Sequence, residues 1–167
     1  MRAHLHIELK SAEGDTLEVR DAYNSVMLAG ADLVARLFTG QGAAVTHMGV
    51  GTSNEPETDA YDTTALTNET EGEEPALQLP VEVALPSESF TSVADPVKHV
   101  VRVRVRGTLP ASAAVGTVRE AGLLSREGET ARLYNRVTFA PLQKGDDHEL
   151  TMFWEVSFPY GDLQWLM

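Results

Sequence analysis

With 167 residues, 43% of them hydrophobic and 23% charged, the chain has the size and composition of one globular domain able to bury a core. The absence of cysteine excludes disulfides, thiolate metal sites and cysteine nucleophiles. Twenty-five acids against thirteen lysines and arginines give a net charge of −12, so nucleic acid is not an expected partner. Neither is a membrane, since no apolar run approaches the roughly 20 residues that span a bilayer.

Leu5, Ile7 and Leu9 alternate with His4, His6 and Glu8, the period of a strand with one wet face and not of a leader peptide. Turn chemistry in Ala12-Glu13-Gly14-Asp15 and renewed alternation in Thr16-Leu17-Glu18-Val19-Arg20 predict a hairpin. The spacing then changes. Val26, Gly30, Leu33, Val34, Leu37 and Phe38 recur at three- and four-residue steps, which predicts an amphipathic helix over 25–38. Asn24 or Ser25 is placed to cap it and Gly40 to end it.

After Gly42 the patterns are those of strands. Val45, Met48 and Val50 form one, with Gly49 and Gly51 expected to turn the chain out of the sheet. Between Arg36 and Lys98 there is no basic residue, while Glu55, Glu57, Asp59, Asp62 and several further acids fall there. Residues 53–76 therefore read as a long, solvated acidic loop, of a length that usually serves a function. Leu77 to Leu85 alternate strictly, with Pro80 favouring an edge. The segments 97–105, 133–139 and 150–158 repeat the alternation. The expected fold is mainly β: an antiparallel two-sheet β-sandwich with one helix, a single domain over 1–167 with an apolar C-terminal tail at 161–167.

Candidate chemistry is sparse. His4, His6 and Glu8 share a strand face, and Asn54, Glu55, Glu57, Asp59 and Asp62 offer oxygens to a hard cation, but an exposed polar face and a solvated loop account for both. Gly49-Val50-Gly51-Thr52-Ser53 lacks the lysine of a phosphate loop and runs into acids. No nucleophile-elbow serine is present, and nothing singles out Glu120 and Glu155 as a catalytic pair. The expectation is a protein that is not an enzyme, with no catalytic, cofactor or metal site. Interaction residues are the better candidates. Arg102, Arg104 and Arg106 form the one basic stripe, suited to an anion, a sugar acid, an acidic neighbour or a ladder with glutamates of the next strand. Glu55, Glu57, Asp59 and Asp62 are the acidic counterpart on a neighbouring copy, and Leu163, Trp165 and Leu166 are apolar anchors at a terminus.

An order of features adds to this. A glycine-bearing helix precedes Val45-Thr46-His47-Met48-Gly49-Val50-Gly51-Thr52, then Thr63-Thr64-Ala65-Leu66-Thr67-Asn68-Glu69, Val118-Arg119-Glu120-Ala121-Gly122-Leu123-Leu124, Phe139-Ala140-Pro141-Leu142-Gln143-Lys144 and the Trp154 strand. This succession, over roughly 26–158, resembles tail-collar fibre proteins and related small tail proteins of tailed bacteriophages. The family shows a "GVGTG"-like turn, an "L-x-N-E" segment, an "E-x-G-L-F" segment and a lysine before the last strand. The resemblance implies a virion structural protein of the tail, collar or baseplate, assembled in the host cytoplasm, whose partners are copies of itself in a ring and other tail or neck proteins. It also implies that Glu120, Gly122 and Leu123 make a tight strand-edge turn, and that Glu69 and Lys144 hold loops to the sheet. Leu124 departs from the family's aromatic, and no fibre shaft follows, which favours an adaptor. The alternatives are a head decoration protein and a small carbohydrate-binding module. The latter would need Trp154, Trp165 and Tyr160 on the surface, whereas Trp154 falls in the inward series of its strand.

Overall fold

Alternation with one wet face builds the first half of the molecule. Strand β1 (Arg2–Lys10) buries Leu5, Ile7 and Leu9 and pairs with β2 (Thr16–Val26), which leads into helix α1 (Leu28–Phe38). The computed structural model describes residues 2–162, so Leu163, Trp165 and Leu166 lie outside the described residues. Then come β3 (His47–Gly51), β4 (Glu82–Ala84), β5 (Phe90–Asp95), β6 (Val100–Leu109), β7 (Gly116–Glu127), β8 (Thr130–Leu133), β9 (Asn135–Lys144) and β10 (Glu149–Pro159).

The described strands pair antiparallel in one continuous sheet, ordered β4-β3-β7-β9-β2-β1-β10-β6-β5, with β8 alongside β7. The fold is mainly β, as expected; the two-sheet sandwich is not confirmed, and the sheet curls into a half-barrel. Its two halves meet along a thin seam, where β2 and β9 pair only at Ser25–Arg136 and Val26–Asn135. Arg20 reinforces the seam by donating to the carbonyls of Ala140 and Pro141, both at 2.9 Å. Both halves contribute to one apolar core, with Leu5, Leu150, Met152 and Trp154 from one side and Met48, Val118, Leu123 and Val137 from the other. Trp154 is 1% exposed, as its place in the inward series required.

The helix starts later than the caps suggested. β2 runs through Ser25 and Val26, and neither Asn24 nor Ser25 caps α1. The free donors are met by backbone instead: Met27 N–H donates to Tyr134 O and Leu28 N–H to Tyr61 O. At the other end Gly40 adopts φ +73°, while the N–H groups of Gly40 and Gln41 bond back to Leu37 O and Arg36 O. That is a Schellman closure, which glycine makes without a Cβ clash. Gly30 faces the Tyr134 carbonyl so closely that a Cβ would overlap it. Small size, more than helix propensity, therefore fixes this residue.

Other expectations need correction. Gly49 and Gly51 do not turn the chain; they lie within β3 and make room for Leu66, Thr67 and the Glu120 carboxylate. Gly122 and Leu123 belong to the middle of β7, with Gly122 pressed against the Asn135 carbonyl, so no strand-edge turn forms there. Of 77–85 only Glu82–Ala84 is strand, and the Leu77 backbone is bonded through both its N–H and its carbonyl to the Asn68 side chain. Residues 97–99 form the turn before β6, with His99 at φ +51°. Lys144 does hold a loop: its buried ammonium donates to the carbonyls of Pro110 and Ala111, and burial pushes its pKa down.

Candidate functional site

The outer face of β1, β10, β6 and β5 is organised as cross-strand rows, because antiparallel register sets residues of successive strands side by side. One row is His4, Glu155, Arg104 and Thr91; the next is His6, Phe153 and Arg106. Arg104 donates to Glu155 at 3.0 Å, and Arg102 reaches both Asp95 at 2.9 Å and Glu155 at 3.5 Å. Two of the three arginines of the basic stripe are thus neutralised within the chain. Arg106 differs: its guanidinium lies 5.6 Å from the centre of the Phe153 ring. On β1, His6 sits 2.9 Å from Asp21 and 3.3 Å from Glu8, and these acids raise its pKa above the ordinary 6.5, Asp21 most strongly. Among the described residues no group of three or more acidic, histidine or cysteine side chains is arranged to hold a metal ion.

The acidic segment 53–76 is only partly solvated. Glu55 and Asp62 are exposed and Glu57 Oε2 accepts from Thr138 at 2.7 Å, while Asp59 closes a short 3-10 turn over 57–59. Further along, the segment is fastened to the sheet. Thr67 N–H donates to Glu120 at 2.7 Å, Glu69 N–H donates to Thr52 Oγ1 at 3.0 Å, and the Asn68 amide bonds twice with Leu77. The Glu120 carboxylate also accepts from Arg136 at 2.5 Å, with both side chains about 99% buried, and Arg136 reaches Ser53 Oγ. The end of β3 at Gly51, the Leu66–Glu69 segment and the Glu120 segment, separated in sequence, converge at this one junction.

Helix α1 presents two apolar faces. Gly30 and Leu33 are buried, and Leu33, Val34 and Leu37 form one wall of an apolar groove of 290 Å³ whose other wall is Val103, Val156 and Phe158. Leu28, Ala31, Ala35 and Phe38 point the other way, into solvent, with Leu28 68% and Phe38 89% exposed. Tyr61, half exposed, lies next to the start of this row, its carbonyl accepting from Leu28 N–H at 2.9 Å. Salt-bridged Asp32, Arg36 and Arg132 flank it. Large apolar side chains in such a row are the usual core of a protein interface.

No protein-family model matches the chain, and no curated protein and no solved structure matches it. The outward row of α1 was not among the sequence candidates, since Phe38 was assigned to the buried stripe. The steps of three, four and three from Leu28 to Phe38 were the available signal. Phe153 was missed as well; its signal was an aromatic out of phase with Met152 and Trp154. No described helix is long and apolar enough to cross a membrane.

Proposed function

We propose that this chain is a structural subunit of a tailed virus, an adaptor of the tail, collar or baseplate that joins copies of itself and further tail components by protein–protein contacts. The exposed row Leu28, Ala31, Ala35 and Phe38 on α1 carries this reading. A row of that kind covers itself when a neighbouring subunit lies against it, with Asp32, Arg36 and Arg132 as a polar rim. Stable contacts bury about 800 Å² per partner, so the row serves as the centre of a larger patch. The Gly51, Thr67 and Glu120 segments, three pieces of the resemblance, meet in one junction of the fold, which is in keeping with a scaffold role for them. A head-to-tail contact between the basic stripe and a neighbour's acidic loop is less favoured, because Arg102 and Arg104 would have to leave Asp95 and Glu155.

Quantitative mass spectrometry of purified particles tests the assignment. A small copy number relative to the capsid protein supports the adaptor, and hundreds of copies move the protein to the head surface. Complete absence from particles overturns the virion reading.

A further inference from the structure

The outer face holds a groove of 460 Å³ between the row of His6, Phe153 and Arg106 and the turn Ser87–Ser89 that precedes β5. We propose that this groove binds an acidic sugar, a hexuronate unit whose ring packs on Phe153 and whose carboxylate is held by Arg106. Three observations lead there.

The first is the state of Arg106. Every other arginine whose side chain is described meets a carboxylate, from Glu18 for Arg20 to Glu120 for Arg136. Among the described residues Arg106 meets none, in a protein with 25 acids and 13 bases, and it is exposed beside an aromatic ring. Its planar fork matches a carboxylate in two parallel bonds. The second is Phe153, an aromatic on the wet side of β10, with the His6 ring 5.9 Å away and the Arg106 guanidinium 5.6 Å away. A flat apolar floor between polar strands suits the C–H face of a sugar ring. The third is the rim: Ser89, Thr91, Glu88 and His4 supply hydroxyl, carboxylate and imidazole groups able to bond sugar hydroxyls. Glu155 is already paired with Arg102 and Arg104, the latter also in the lining, so Glu88 is the acid that sets the charge of the ligand. It disfavours a polyanion such as a phosphate ester, but accepts hydrogen bonds from the hydroxyls of a monoanion. The site uses none of the residues of the α1 row, so it stands or falls separately from the assembly reading.

The test is an NMR titration of the ¹⁵N-labelled full chain with glucuronate, with glucose and acetate as the two halves of its chemistry. Saturable shifts at Thr91, Arg106 and Phe153 are expected with glucuronate, at about tenfold or greater preference over either control, the scale of one charge-assisted hydrogen-bonded pair. Arg106→Gln, at an exposed position, should leave the spectrum folded and erase the preference over glucose. Phe153→Ser should weaken glucuronate and leave any acetate binding unchanged. Equal binding of glucose, equal binding of acetate, or no saturable shift at these amides each overturns the proposal.

Discussion

The Arg136 guanidinium donates to the Glu120 carboxylate at 2.5 Å, and both side chains are almost wholly removed from water. Glu120 spends its other oxygen on Thr67 N–H, so one carboxylate ties β7, β9 and the far part of the acidic segment together. Burying two charges is costly, and their attraction offsets the cost only while both are present. Arg136→Met should therefore destabilise the fold by about 3–5 kcal/mol in urea unfolding. The paired change Glu120→Gln with Arg136→Met should cost less than the single one. A double variant as unstable as the sum of its parts would show that the two charges are not coupled.

Gly30 gives a test of opposite signs. On helix propensity alone, alanine at this position would stabilise α1 by about 1 kcal/mol. Its Cβ would overlap the Tyr134 carbonyl, however, and backbone cannot step aside as a side chain can. Gly30→Ala is expected to lower stability by about 1–3 kcal/mol, as overpacking does. A raised thermal midpoint would mean that the helix shifts freely on the sheet.

The outer face should titrate. Asp21 first, and Glu8 after it, hold the His6 pKa above 6.5, so protonated His6 stabilises the folded chain. That contribution is complete below 6.5 and is lost as pH rises through the folded value. Glu8 runs the other way: Lys10 first, then His6, lower its pKa, so its contribution is complete above 4.5 and is lost as pH falls through the folded value. The ladder is strongest between these limits. Following the His6 ring protons by NMR in the wild type and in Asp21→Asn checks this, and an unmoved midpoint in the variant would contradict it.

The α1 row predicts a separation of stability from assembly. Leu28→Glu with Phe38→Glu exchanges two solvent-exposed side chains, so unfolding should move by no more than about 0.5 kcal/mol. Incorporation into particles, or self-association seen by analytical ultracentrifugation, should be lost. Unchanged assembly would direct attention to another surface.

Alternation made β1 and β10 legible, because each has one wet face and one buried face; the start of β2 alternates in sequence although Leu17 and Val19 are exposed. The same test fails for β7. Glu120, Ala121, Gly122, Leu123 and Leu124 are all buried, covered on both sides, so no period of two survives there. A glutamate and a glycine in that stretch imitate turn chemistry. β5 fails for the opposite reason: Thr91 to Ala94 are exposed on both faces at a sheet edge. Of the candidate site, the glutamate ladder of Arg102 and Arg104 was readable from the alternation. The pairing of Glu120 with Arg136, 16 residues apart, depends on the register of β7 and β9, which residue spacing does not encode.

The order in which the strands are used has a consequence for synthesis. β1 and β2, β5 and β6, and β10 belong to one side of the seam, whereas β3 and β4, and β7 to β9, belong to the other. The chain crosses repeatedly, and β1 lies between β2 and β10. A nascent chain on the ribosome can therefore complete the side that holds β1, and with it the core both sides share, only after residues 149–159 have emerged, since β10 alone bridges β1 and β6. Cutting the polypeptide between the elements should yield no fragment that persists by itself, and folding should be a late, concerted event dominated by contacts distant in sequence.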